Sequence, residues 1–260
     1  MGVEAERNFI EHMTWDDVAR GIERGAAAIL PIGAAAKQHG LHLPLNADRV
    51  QAEWLSARLA DHIDALVWPT LTYGHYPAFV EYAGSTSLSA ATFEAVVAEI
   101  APEIVRHGCR ALFVLDTGIS TRAPVGRALA RLEIGNTLHL KIHDGPRYRR
   151  VAAALARQSH GSHADELETS LMLAIAPELV DISRAEASPA IVQPAPGPLT
   201  RSDKTSPNYS RSGSFGDPTL ATLEKGEALL AAMLDDLTEQ ATSFLAELSG
   251  SAGRARGAAS

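Results

Sequence analysis

A cluster of potential metal ligands follows the first strongly apolar run of the chain. After Ala27 to Ile32 comes the sequence GAAAKQHGLHLPLNAD, which places Lys37, His39, His42 and Asp48 on one loop rich in glycine and proline. Side chains just beyond the carboxyl ends of parallel strands converge where α/β proteins bind ligands. Imidazole and carboxylate groups are ligands of zinc and manganese. The spacing indicates a metal site, although each histidine alone also fits a hydrogen-bonded loop or core residue.

A second cluster lies in GSHADELETS, residues 161–170, at the start of a predicted helix. His163 and Glu166 are spaced i, i+3, so on a helix they share a face and reach one point in front of it. The same run also suits a plain helix N-terminus, because Ser162 followed by acidic residues would cap the helix and complement its dipole. On the residues alone both interpretations stay open.

A third run, LDTGIST at Leu115 to Thr121, again follows an apolar stretch. Its glycine and hydroxyl residues suit either the binding of a substrate oxygen or a tight turn. We predict a substrate-binding group made of Tyr73, Asp116, Ser120 and His42.

The elements that must position these residues follow from the hydrophobic pattern. Short apolar runs rich in β-branched residues alternate with longer amphipathic stretches, which is typical of a mainly parallel sheet covered by helices. The class is therefore α/β. The predicted strands are Ala27 to Ile32, Ala65 to Leu71, Ala111 to Leu115 and Thr137 to Ile142. The predicted helices are Ala47 to His62, Ser89 to His107, Tyr148 to Gln158, His163 to Ala176 and Leu220 to Leu248.

Composition predicts a single domain over residues 1–249 and a disordered tail over 250–260. The chain has 260 residues and a net charge of −8, which disfavours a nucleic-acid partner because phosphate binding requires clustered basic residues. It lacks an apolar run of the ~18 residues that a membrane span needs, and a recognisable signal peptide. Its one cysteine, Cys109, lies in an apolar run and is expected to be buried and inert, so we expect a cytoplasmic protein.

The segment from Ser188 to Gly216 is rich in proline, serine and glycine. It is too polar for a core strand and too long for a plain connection, so it is predicted to be a functional loop or an oligomer contact, with disorder as the alternative.

Four runs of the chain resemble the creatininase family. LPIGAAAKQHGLHLPLNAD is similar to the family signature PxGSxEQHGPHLPLxxD, and GSHADELETSLMLAIAPELV is similar to its HAGExETSxML segment. EYAGSTSLS and the run from Gly216 to Gly226 also have counterparts in the family. The resemblance covers most of residues 25–245. It implies a layered α/β/α fold, metal-dependent hydrolysis of C–N bonds in small amides, and a homo-oligomer, commonly a hexamer.

The departures from the family pattern change the expected metal site. Family members bind two metals that share the aspartate aligned with Asp48, and Lys37 and Gly118 replace two ligands of the same ion. The resemblance therefore implies one divalent ion, zinc first and manganese or iron as alternatives, held by His39, Asp48 and Glu166. Ser120 removes the other position from which some members supply the glutamate, and Glu168 remains the alternative to Glu166.

The resemblance also implies roles in catalysis. His163 aligns with the family's catalytic histidine and is expected to move protons while a metal-bound water attacks the carbonyl of an amide, lactam or formamide. Lys37 is expected to supply the positive charge of the missing ion. The alternatives are a lyase or isomerase of a carbonyl substrate that uses Lys37 as base or Schiff-base amine, and a non-catalytic binding member of the family.

Overall fold

The central sheet has four parallel strands. The computed structural model describes residues 7–188 and 197–257, and for residues 251–257 it describes the backbone only. The strands are β1 (Ala27–Ile32), β2 (Ala65–Val67), β3 (Leu112–Asp116) and β4 (Thr137–Lys141). Their order is β2-β1-β3-β4, with all three pairings parallel. The predicted α/β class and parallel sheet are confirmed.

Seven α-helices accompany the sheet in the described residues. They are α1 (Trp15–Glu23), α2 (Ala47–Ile63), α3 (Ala90–Arg106), α4 (Arg122–Leu132), α5 (Pro146–Leu155), α6 (Glu166–Ile175) and α7 (Leu223–Gly257). The sequence predicted five of them and missed α1 and α4, which are short and rich in charged residues. The predicted cap of α3 is present, since the Ser89 hydroxyl accepts a hydrogen bond from Thr92 N at 3.1 Å.

The helices cover both faces of the sheet, which confirms the layered α/β/α arrangement. Successive side chains of a strand point to opposite faces. Ile29 and Phe113 accordingly belong to the apolar cluster formed with α2, α5, α6 and α7. Leu30 and Val114 belong to the cluster formed with α3 and α4. Cys109 lies in this second cluster, is buried as predicted, and burial raises the pKa of its thiol.

Several predicted boundaries are wrong, and one of them matters for the site. β2 ends at Val67 and not at Leu71, because the chain continues into Pro69, which lacks a backbone donor. α6 begins at Glu166 and not at His163. Asp165 is its N-cap, accepting hydrogen bonds from the backbone N–H groups of Leu167 and Glu168. His163 therefore lies on the loop before the helix.

The C-terminal helix is longer than predicted. α7 extends beyond Leu248 to Gly257, so the part of the predicted tail up to that residue is helical, and the last three residues lie outside those described. Residues 189–196 of the predicted functional loop also lie outside them. Within the described part of the chain, no helix is both long and apolar enough to cross a membrane.

α6 and α7 approach each other closely. A Cβ atom at Gly226 of α7 would lie 1.9 Å from the carbonyl oxygen of Ser170 in α6, so only glycine fits at this crossing. At the N-terminal ends of the two helices, the ammonium of Lys225 pairs with the carboxylate of Glu166. Both side chains are buried. The pair therefore joins the start of α6 to the start of α7.

We expect Lys225→Met to lower the free energy of unfolding by about 3 kcal/mol, because it leaves the buried Glu166 carboxylate without its cation. Urea unfolding followed by circular dichroism measures the change. The control is Arg106→Met, which breaks an exposed pair with Glu103 and should cost less than about 1 kcal/mol. An unchanged unfolding midpoint for Lys225→Met would show that the pair does not hold the helices together.

Candidate active site

A cavity opens at the carboxyl edge of the sheet, where the loops after β1, β3 and β4 meet the start of α6. Its volume is about 460 Å³. The side chains that line it include those of Lys37, Asp48, Phe79, Ser120, His143, Tyr148, His163 and Glu168. The first and second sequence clusters therefore converge on one cavity, as expected.

His39 lies at the centre of the cluster and is fully buried. Its Nδ1 is 2.8 Å from the carbonyl oxygen of Lys37 and donates to it, so in the neutral ring the lone pair is on Nε2. Two carboxylates flank Nε2: Asp48 Oδ1 at 3.1 Å and Glu168 Oε1 at 3.6 Å. A neutral imidazole with its second nitrogen fixed by a carbonyl is the form that binds metals.

Lys37 forms a buried ion pair with Asp48. Its Nζ lies 2.6 Å from Asp48 Oδ2, and both side chains are nearly inaccessible to water. The ammonium also lies 5.1 Å from the centre of the Phe79 ring. Burial opposes ionisation of Asp48, but the charge of Lys37 and the nearby His39 hold the pKa of this carboxyl well below its usual value. Asp48 is therefore an anion at neutral pH.

His163 faces the same cluster from the opposite side. Its Nε2 lies 2.9 Å from the carbonyl oxygen of Gln38, and its Nδ1 lies 3.6 Å from Glu168 Oε2. The ring of Phe79 packs against it with the ring centres 4.1 Å apart. Burial, and then the charge of Lys37, lower its pKa well below 6.5. The imidazole is therefore neutral, with Nδ1 directed to the cluster.

A distant segment fixes the backbone at His163. Phe215 N donates to the carbonyl oxygen of His163 at 2.8 Å, and His163 N donates back to that of Phe215 at 3.3 Å. This segment, residues 197–216, also contacts the cavity wall, since Leu199 N donates to the carbonyl oxygen of Ala78 at 2.8 Å. The described part of the predicted functional loop therefore packs against the site.

The structure does not bring the carboxylate of Glu166, a predicted ligand, to the histidine cluster. One of its carboxylate oxygens accepts hydrogen bonds from Arg157 N and Gln158 N at 2.8 and 2.7 Å, and the other pairs with Lys225. Because α6 begins at Glu166, it is Glu168 that turns towards the histidines. One ligand atom each from His39, His163 and Glu168 lies within 4.8 Å of the others.

The predicted substrate-binding residues are only partly brought together. Ser120 lines the cavity, although its hydroxyl donates to the carbonyl oxygen of His75 at 2.6 Å. The other three do not line it. Tyr73 is 56% exposed on the outer surface. His42 and Asp116 are buried in the protein interior.

Both interior residues have structural partners. His42 Nε2 lies 2.8 Å from the Thr169 hydroxyl, and burial and then His39 lower the pKa of His42 to about 4. The carboxylate of Asp116 accepts hydrogen bonds from Gly118 N and the Thr121 hydroxyl and lies 3.0 Å from His139 Nε2. The Asp116 carboxylate therefore stabilises the turn after β3. A tight turn was the alternative interpretation of the run LDTGIST.

His143, Tyr148 and Phe79 also line the cavity and were not predicted from the sequence. His143 comes directly after the predicted strand Thr137 to Ile142. Polar residues directly after a predicted strand were the signal for the other site loops, and the same signal points to His143. Phe79 and Tyr148 carried no comparable signal, because an aromatic residue in a loop or helix is equally common in a core.

The comparisons with known proteins agree with this architecture. A profile of the creatininase family, described as creatinine amidohydrolase, matches residues 11–241. The chain is 27% identical to the creatinine amidohydrolase of Pseudomonas putida over 89% of this chain and 95% of the relative. It is 28% identical to the mycofactocin precursor peptide peptidase of Mycobacterium ulcerans (strain Agy99) over 80% of this chain and 81% of the relative.

Solved creatininase structures share the fold. A tryptophan-to-alanine mutant of creatininase superposes with a TM-score of 0.79 at 27% identity, covering 92% of this chain and 98% of that one. A structure described as creatininase Mn has a TM-score of 0.76 at 26% identity and covers 90% of this chain and 96% of that one. A glutamate-to-glutamine mutant of creatininase described as Zn-Zn type has a TM-score of 0.72 at 26% identity and covers 89% of this chain and 96% of that one. The chain belongs to the creatininase family of amidohydrolases.

Proposed function

We propose that this chain is a metal-dependent hydrolase of a C–N bond in a small amide, lactam or formamide. The observation that carries the proposal is the position of His39 Nε2, which lies 3.1 Å from Asp48 Oδ1 and 3.6 Å from Glu168 Oε1, two carboxylates that line the cavity. A creatinine amidohydrolase and a peptide peptidase among the relatives both act on an amide-type C–N bond, which is the chemistry we transfer to this chain.

We propose that His39, Asp48 and Glu168 hold one divalent ion, zinc first, with manganese or iron as alternatives. The donor set of one imidazole and two carboxylates suits these metals. Asp48 would bind through Oδ1 while Lys37 holds Oδ2, and ligating carboxylates commonly have such a hydrogen-bonded partner. The ammonium of Lys37 lies at the other oxygen of Asp48, where its charge would repel a second cation.

The bound ion would lower the pKa of a water molecule and polarise the carbonyl group of the substrate. His163 receives the proton of the attacking water at Nδ1 and returns it to the leaving nitrogen, because Nε2 is engaged by the Gln38 carbonyl. Lys37 donates a hydrogen bond from Nζ to the oxygen that becomes negative. Phe79 covers both groups and keeps bulk water away from them.

The contacts of Lys37 bear on the lyase or isomerase alternative. A Schiff base requires a neutral amine. The Asp48 carboxylate 2.6 Å away stabilises the ammonium form and so disfavours this route. The presence or absence of turnover decides whether the chain is a non-catalytic binding member of the family. The homo-oligomer, a hexamer by family resemblance, and the cytoplasmic location stay predictions.

Glu168→Gln should lower the metal content of the purified protein well below one ion per chain, because the amide is a far weaker ligand than the carboxylate. Glu166→Gln is the matched control on the same helix turn and should keep about one ion per chain. Elemental analysis by mass spectrometry after mild zinc loading measures both. If Glu166→Gln loses the ion and Glu168→Gln keeps it, the proposed ligand set is wrong, and two tightly bound ions in wild type would contradict the single site.

His163→Gln should reduce kcat by about 100-fold or more while the metal content stays at one ion per chain, because the side chain moves a proton and holds no metal. The substrate comes from a panel of small lactams, amides and formamides, with products detected by mass spectrometry. A chelator should abolish turnover and zinc should restore it. Loss of the ion in His163→Gln would make this residue a ligand, and no hydrolysis of any compound by the metal-loaded wild type would argue for the non-catalytic alternative.

Lys37→Met should lower kcat by about 100-fold with the metal content unchanged, because the ammonium acts on the negative oxygen of the transition state. Lys204→Met is the control, since Lys204 is exposed and lies outside the cavity. The kinetics use the substrate identified from the panel. A wild-type kcat in Lys37→Met would show that the ion pair with Asp48 serves only the structure of the loop.

A further inference from the structure

His143 lies on the cavity wall formed by the chain after β4, and the proposed reaction steps do not use it. Its Nδ1 lies 3.5 Å from Nη2 of Arg122. Arg122 is itself held by two other contacts, donating to the carbonyl oxygen of Gly118 at 3.2 Å and to Asp144 Oδ1 at 3.0 Å. The imidazole therefore has a fixed cation beside one nitrogen.

This contact determines which nitrogen carries the proton. A guanidinium beside Nδ1 favours the lone pair there, so the hydrogen of the neutral ring is on Nε2. Burial, followed by the charge of Arg122, lowers the pKa of His143 to about 4. Its Nε2–H has no hydrogen-bond partner among the described residues. His143 thus presents an uncharged donor at the cavity.

Tyr148 provides a second uncharged donor beside it. The two rings pack edge to face with their centres 5.3 Å apart, and the backbone of Tyr148 is fixed by the bond from its N–H to Asp236 Oδ2 at 2.8 Å. Burial and the neighbouring carboxylates of Asp165 and Glu168 raise the pKa of the phenol. In the described part of the chain its hydroxyl has no partner either, although the residue lines the cavity.

The surroundings of the two donors indicate what they bind. Two adjacent donors that are open to the cavity can both donate to acceptor oxygens of a ligand. Arg122, the basic group in contact with His143, is already paired with Asp144. Neither donor carries a charge that would balance an anionic ligand group. An uncharged carbonyl oxygen fits these conditions better than a carboxylate.

We propose that His143 and Tyr148 form a subsite that binds a second, uncharged carbonyl oxygen of the substrate, away from the carbonyl under attack. The proposal rests on the proposed amide hydrolysis and narrows its substrate class to compounds with two neutral carbonyl groups, such as imides, ureides and short peptides. Each donor holds the far end of such a substrate while the near carbonyl lies beside Lys37, His163 and Glu168, which line the same cavity.

The test compares two ring compounds that differ by one carbonyl oxygen, N-methylsuccinimide and N-methylpyrrolidinone. Their dissociation constants for the protein as purified are measured by ligand-observed NMR titration, with the ligand signals checked for hydrolysis. Wild type should bind the dicarbonyl compound about 5- to 30-fold more tightly, as one or two neutral hydrogen bonds provide. Tyr148→Phe should reduce this ratio about fivefold, and His143→Phe should do the same.

A control variant tests whether the preference comes from the two donors inside the cavity. Tyr209→Phe removes a hydroxyl outside the cavity and should keep the wild-type ratio. Circular dichroism melting checks that each variant is folded. If His143→Phe does not fold, the milder substitution Tyr148→Phe still tests the subsite. A wild-type protein that does not prefer the dicarbonyl compound, or a preference retained in Tyr148→Phe, overturns the subsite. Because the measurement is of equilibrium binding, its result is independent of whether the chain hydrolyses amides.

Discussion

The buried carboxylate of Asp48 is the constraint on which the site depends. A carboxylate removed from water needs a cation or several hydrogen-bond donors, and Lys37 supplies the cation from the loop after β1. That loop must therefore fold back onto the first turn of α2, which carries Asp48. Gly33 permits the close approach, since a Cβ atom there would lie 2.6 Å from the carbonyl oxygen of Asp48. His39 is brought to the second oxygen of the carboxylate by the same fold.

The other half of the site depends on a contact far along the chain. His163 lies in a loop, where backbone geometry is less restricted than in a helix, and Ala164 beside it has a positive φ of 44°. Phe215 bonds the His163 backbone from the segment 197–216, and Glu168 Oε2 accepts the N–H of Ala164 at 2.5 Å. The position of the imidazole is thus determined by tertiary contacts and only indirectly by α6.

These two halves explain what could be predicted from sequence. The strands and the first cluster were predictable because apolar runs followed by polar loops carry a local signal, so Lys37, His39 and Asp48 were located together. The second cluster depended on where one helix begins. Asp165 and not Ser162 caps α6, which rotates Glu166 away from the cavity and Glu168 into it. Neither residue type nor spacing distinguishes the two glutamates, since the partners of Glu166 lie elsewhere in the chain.

The cations available to the carboxylates show why the two glutamates differ in function. Lys225 pairs with one oxygen of Glu166 and two backbone N–H groups bond the other, so neither oxygen of this buried carboxylate faces the cavity. Lys37 pairs with only one oxygen of Asp48 and leaves the other beside His39. Glu168 has no lysine or arginine partner among the described residues, and the histidines beside it face it with lone pairs when neutral. An anion next to two imidazole nitrogens is electrostatically incomplete without a cation. The same physical rule that makes Glu166 structural leaves the charge of Glu168 unmatched, which is why we propose Glu168 as a ligand of the divalent ion.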